Sequence, residues 1–153
     1  MASRYLSCTP QALEIEVAKD FTDALQKRGA TVTHDGRSGR PDIVVVTPDF
    51  AVVVEIAMRS GADAASEYLA IRAHRDLVEF ETGKPTHLLF SCVRTPARII
   101  RAMREENGAR SGARRKGRVL FIDLPSLELV LARLTETTAD LYPLARWSEW
   151  FSA

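Results

Sequence analysis

The stretch RPDIVVVTPDFAVVVEIAMR, residues 40–59, decides the fold. Two valine-rich runs, 43–46 and 51–54, flank Thr-Pro-Asp-Phe, a pattern that predicts a tight hairpin whose turn is preset by Pro48. With Pro48 and Asp49 as the loop, Thr47 faces Phe50 and Val46 faces Ala51. Counting outward then sets Asp42 opposite Glu55. Directly opposed residues of antiparallel strands share a face with Cβ atoms about 4.5–5.5 Å apart, so two bare carboxylates there repel. A divalent cation with oxygen ligands is the simplest group to offset that repulsion. A solvated Asp and Glu at the open end of an ordinary hairpin gives the same pattern.

Upstream, Thr9 followed by Pro10 reads as an N-cap with proline in the first helical position, and the helix runs to Lys27 before Gly29 stops it. Leu13, Val17, Ala18, Phe21, Ala24 and Leu25 form its apolar face, with Glu14 projecting from the middle. A carboxylate there calls for an arginine, a cation or a route to water. Residues 30–33 make a short strand, and 34–40 a loop with two arginines and two glycines.

Downstream of the hairpin a helix is predicted over 62–81, with Ala65, Leu69, Ala73, Leu77 and Phe80 as its core face. Tyr68, Arg72 and Arg75 follow its flank, close enough to reach a neighbouring site, while His74 points away. The three histidines share no spacing and receive no role. A strand over 86–91 and a helix over 95–107, opened by Thr95-Pro96, come next. Arg94, Arg98, Arg101 and Arg104 step by four, three and three into one cationic stripe. Arg110, Arg114, Arg115, Lys116 and Arg118 crowd the Gly/Ser-rich loop beyond it, where like charges repel unless an anion lies between them. A nucleic-acid backbone is the usual such anion. A strand over 119–124 and a helix over 125–134 lead to LYPLARWSEWF, residues 141–151, too apolar for a free end. It either folds back on the core or docks on another subunit.

At 153 residues, 46% hydrophobic and 27% charged, the chain is expected to form one domain, 1–153, with its core over about 9–124 and an apolar tail over 135–153. The net charge of +1 names no polyanion partner by itself; the clustering of arginines does. Cys8 and Cys92 fit neither a metal site nor a disulfide scaffold, which suits a cytoplasmic setting. No apolar run approaches the ~18 residues of a membrane span, so no membrane partner is expected.

The order helix, strand, hairpin, helix, strand, helix, strand, with Glu14, Pro41-Asp42 and Glu55-Ile56-Ala57, resembles the PD-(D/E)xK nuclease superfamily over about residues 9–124. The resemblance implies an α/β fold: a mixed central β-sheet flanked by helices, with a restriction-endonuclease-like core. It implies Mg²⁺ (or Mn²⁺) held by Asp42 and Glu55 with the main-chain carbonyl of Ile56 and help from Glu14. Arg59, Tyr68, Arg72 and Arg75 become candidates for charge stabilisation or phosphate contact. The catalytic set is then Asp42, Glu55 and position 57, where the family has lysine and this chain has Ala57. Three accounts fit that alanine: a deliberate replacement that traps a substrate complex, a cation moved to Arg59 or to the second helix, or a natural pseudonuclease. The expected activity is metal-dependent DNA cleavage, alone or as the nuclease subunit of a larger complex; the alternative is a nucleic-acid-binding or assembly subunit that keeps the fold without the chemistry. A homodimer joined by the tail is expected, because cutting both strands calls for two sites.

Overall fold

The structure, a computed structural model, describes residues 3–35, 39–60, 62–94, 97, 100–102, 104–105, 117–138 and 143–151; the side chains at 59, 60, 62–70, 145, 147 and 148 are not among those described. Five strands, β1 (Thr31–His34), β2 (Ile43–Val46), β3 (Ala51–Ser60), β4 (Thr86–Arg94) and β5 (Val119–Asp123), form one sheet in that order. β1, β2 and β3 are antiparallel; β3, β4 and β5 are parallel. The sheet is therefore mixed, as expected.

The hairpin has the register that its sequence dictates. Val46 pairs with Ala51 and Ile43 with Val54, and the Thr47 N–H donates to the Phe50 carbonyl at 2.9 Å, leaving Pro48 and Asp49 as the loop. Residues 51 to 57 of β3 are all buried because the sheet is covered on both faces. Val52, Val54 and Ile56 join one core, while Ala51, Val53 and Ala57 join the other.

The first core lies under α1 (Pro10–Leu25) and α3 (Leu124–Glu136). α1 begins where proline and its cap predict: Thr9 Oγ1 accepts from the Ala12 N–H at 3.3 Å. Its six apolar-face residues, Leu13 through Leu25, are all buried. A 3-10 turn over Gln26–Arg28 then ends at Gly29, whose φ of 85° is the left-handed conformation glycine adopts freely. α3 starts a residue earlier than its proline suggests, because the Asp123 carboxylate caps it by accepting from the Ser126 N–H at 2.9 Å.

The core reaches beyond residues 9–124. Tyr5 is fully buried with its hydroxyl on Asp20, and Leu127, Leu131, Leu134 and Phe151 all belong to the first core. Phe151 lies 6.0 Å from Phe21, and the Arg28 guanidinium sits over the Trp150 ring. The end of the tail thus folds back: Phe151 is buried in the core and Trp150 packs half-buried against it. Leu141 lies outside the described residues, as does the Trp147 side chain.

The second core lies under α2 (Ala62–Thr82), where the reading of the helix face requires correction. Ile71 and Val78 are the buried contacts, Arg75 is buried beside them, Ala73 is exposed and Phe80 is 87% exposed. The side chains of Ala65, Leu69 and Tyr68 lie outside the described residues. α2 carries two apolar stripes, and the one turned inward also brings His74 to the buried Glu55, giving that carboxylate a partner that the stripe ending at Phe80 lacks. β4 also continues past Ser91 to Arg94, and β1 is displaced by one residue to Thr31–His34. Within the expected helix over 95–107, the described residues 97, 100–102, 104 and 105 are helical. Among the described residues no helix is long and apolar enough to cross a membrane.

Candidate active site

Asp42, just ahead of β2, and Glu55 on β3 meet as the hairpin register requires. Their carboxyl groups are close enough to influence each other, and Asp42 Oδ2 accepts from the Ile56 N–H at 2.9 Å. Glu55 is 4% exposed, and its Oε1 lies 2.5 Å from His74 Nδ1. Glu14, on α1, is half-buried and reaches His34 Nε2 at 3.2 Å. Its charge is felt at Asp42.

Burial pushes the Asp42 carboxyl above its ordinary value, and the negative charge of Glu14 pushes it further. The Ile56 N–H, the neighbouring Glu55 side chain and the His74 ring oppose that rise without cancelling it. Crowded, partly desolvated carboxyl groups of this kind are what a cation relieves. Among the described residues, no three His, Cys, Asp or Glu side chains are grouped closely enough to hold a metal ion between them. The chemistry of the donor set nevertheless fits Mg²⁺, which commonly takes only one or two protein carboxylates and fills its remaining positions with water and phosphate oxygens. Asp42 and Glu55 supply two carboxylates of the kind such an ion would use.

Ala57 follows Glu55 by two residues on the same face of β3. It is 4% exposed and belongs to the apolar layer with Ile71 and Val78. A lysine here would run its stem through that layer to reach the acids. The strand segment leading into the site is clamped by Arg40, whose guanidinium binds the Glu81 carboxylate at 2.5 and 3.1 Å. That hydrogen bond draws the Glu81 carboxyl below its usual range.

The sequence assigned no role to His34 or His74, yet each touches one of the acids. His74 does not point away, as its place on the helix suggests, because α2 is turned differently. The available signal is local: His74 stands three residues after Ile71 and four before Val78, on the buried stripe.

Of the arginines, Arg72, Arg94, Arg101, Arg104 and Arg118 are exposed. Arg94 pairs with Ser60 across β3 and β4, toward the same end of the sheet as Glu55. Arg75 is 3% exposed and bonds Asp76, so its guanidinium does not lie on the surface. Arg98, Arg110, Arg114, Arg115 and Lys116 lie outside the described residues, as does the Arg59 side chain.

The mixed sheet, the two helical layers and the acids along β2 and β3 define a restriction-endonuclease-like α/β fold, and solved structures share it. The small subunit R.BspD6I2 of the heterodimeric restriction endonuclease R.BspD6I superposes with a TM-score of 0.58 at 13% identity, covering 92% of this chain and 86% of that one. The restriction endonuclease FokI gives 0.66 at 15% identity over 92% of this chain, and FokI bound to DNA gives 0.60 at 15% over 96%. The chain spans only 27% and 28% of those FokI chains. No family model and no curated protein matches the sequence.

Proposed function

We propose that the chain is the nuclease module of a metal-dependent DNA endonuclease that hydrolyses phosphodiester bonds with Mg²⁺ or Mn²⁺. The observation that carries this reading is the carboxyl pair Asp42 and Glu55, brought together by the hairpin register and anchored by the Ile56 N–H and His74, within a restriction-endonuclease-like fold. These two residues and the Ile56 carbonyl would hold the cation, with Glu14 adding negative charge alongside. Such a cation, when bound, polarises the scissile phosphate and lowers the pKa of an attacking water. The Ile56 N–H keeps Asp42 from turning away from Glu55. Exposed Arg94, Arg101, Arg104 and Arg118, continued in sequence by Arg98, Arg114, Arg115 and Lys116, hold DNA phosphates without reading bases. Cutting both strands takes a second site, supplied by a second copy or by a partner subunit.

Ala57 favours a second reading, a DNA-binding or assembly subunit that keeps the fold without chemistry. The two readings part at one substitution. Ala57→Lys should nick supercoiled DNA in Mg²⁺ at least about tenfold faster than the unaltered chain, a difference of about 1.4 kcal/mol in barrier. Adding Glu55→Gln should abolish that gain. A folded Ala57→Lys protein that needs no partner and still leaves supercoiled, linear, branched and single-stranded DNA uncut counts against position 57 as the missing lysine and favours the second reading.

A further inference from the structure

We propose that His74 of α2 is a positioning residue for the cation site, orienting Glu55 from the helix in place of the side chain that position 57 lacks. The proposal rests on the reading of Asp42 and Glu55 as cation ligands. Glu55 and position 57 both face α2, because residues two apart on a strand share a face. At 57 the alanine side chain ends in the apolar layer and offers no donor. His74 enters from the opposite element, between Ile71 and Val78, and places Nδ1 2.5 Å from Glu55 Oε1. Glu55 is too buried to replace this donor freely with bulk water, so its carboxylate direction depends on protein groups.

The three acids share this design. Glu14 has His34 at 3.2 Å, Asp42 has the Ile56 N–H at 2.9 Å, and Glu55 has His74. Partners one step out from the ligands are how proteins fix the direction of metal-binding carboxylates, and their removal typically weakens binding 10- to 100-fold. His74 serves the most buried of the three acids, and so its bond has the largest effect on ligand geometry.

The test is calorimetric titration of the full chain with Mn²⁺, with thermal melts alongside, for the unaltered protein and for His74→Asn, His74→Phe, His74→Ala and Asp42→Asn. Asn can place an amide N–H near the Nδ1 position, Phe keeps a ring without the donor, and Ala removes both. His74→Phe and His74→Ala should weaken Mn²⁺ binding about 10- to 100-fold, whereas His74→Asn should stay within about threefold of the unaltered protein. Affinity unchanged in the folded Phe and Ala variants, or lost equally in the Asn variant, overturns the proposal while leaving the ligand reading intact. An unaltered protein that does not bind Mn²⁺, or an Asp42→Asn protein that binds it as tightly, overturns the ligand reading and the proposal with it.

Discussion

Replacing Asp42 with asparagine should make the metal-free protein more stable. Asparagine retains a side-chain carbonyl to accept from the Ile56 N–H, now 2.9 Å from Asp42 Oδ2, and its amide can donate to Glu55. What disappears is a partly desolvated negative charge that Glu14 repels. Burial is the largest of these costs, and removing a partly desolvated charge recovers roughly 2–3 kcal/mol. Losing the charge-assisted part of the Ile56 bond returns roughly 1 kcal/mol of that. The net gain is about 1–2 kcal/mol, or about 3–6 °C in Tm for a domain of this size. The sign of the pH dependence follows. Asp42 titrates higher in the folded than in the unfolded chain, so folding takes up a proton between those two values. Its destabilising effect is therefore complete above the folded value and fades as pH falls through the folded value toward the unfolded one. Scanning calorimetry in chelator should show the variant melting above the unaltered protein at pH 7 and the gap closing toward pH 4. With Mn²⁺ at a hundred times its Kd, the unaltered protein should gain about 2.7 kcal/mol and the variant almost nothing. A variant that melts at or below the unaltered protein at pH 7, or a gap indifferent to pH, refutes this account of the site.

Three further substitutions test the rest of the structure. Phe80→Ser should leave the unfolding free energy within about 0.5 kcal/mol of the unaltered protein, since the ring is 87% exposed; a loss of 2 kcal/mol or more would restore the stripe from Ala65 to Phe80 as the packing face. Gly117→Ala should lower stability by about 2–4 kcal/mol in chemical denaturation, because the new Cβ would fall 1.8 Å from the Thr86 carbonyl oxygen and force β5 away from β4; a neutral result would mean that this close approach is not made. Arg101→Ala with Arg104→Ala should weaken binding to all DNA sequences alike and reduce the salt slope of log K by about 2, and an unchanged slope would place the DNA elsewhere.

The parts of this fold legible in the sequence are those set by local rules. A proline-preset turn between valine runs leaves one register, and that register alone brings Asp42 to Glu55. Thr9, Pro10 and Gly29 bracket α1, and its single apolar face can be buried in only one way. The tail was ambiguous because Trp and Phe near a chain end suit a core and an interface equally well; only the place left beside Phe21 and Arg28 decides for Phe151 and Trp150.

The inward face of α2 is hidden from its own sequence for a different cause. Counting apolar residues favours the stripe 65–69–73–77–80, which has more of them than the stripe through Ile71 and Val78. That count weighs only transfer of side chains from water and omits the surface the helix must cover. The strand beneath it carries a buried carboxyl group at Glu55, and a buried acid left without a donor costs on the order of several kcal/mol, more than one exposed phenylalanine loses by staying in water. Turning the helix to bring in His74 leaves Phe80 outside and satisfies Glu55. The inward stripe thus serves the core through Ile71 and Val78 and the candidate site through His74. Spacing places His74 on the stripe through Ile71 and Val78, but choosing that stripe takes the buried Glu55, nineteen residues away on another element.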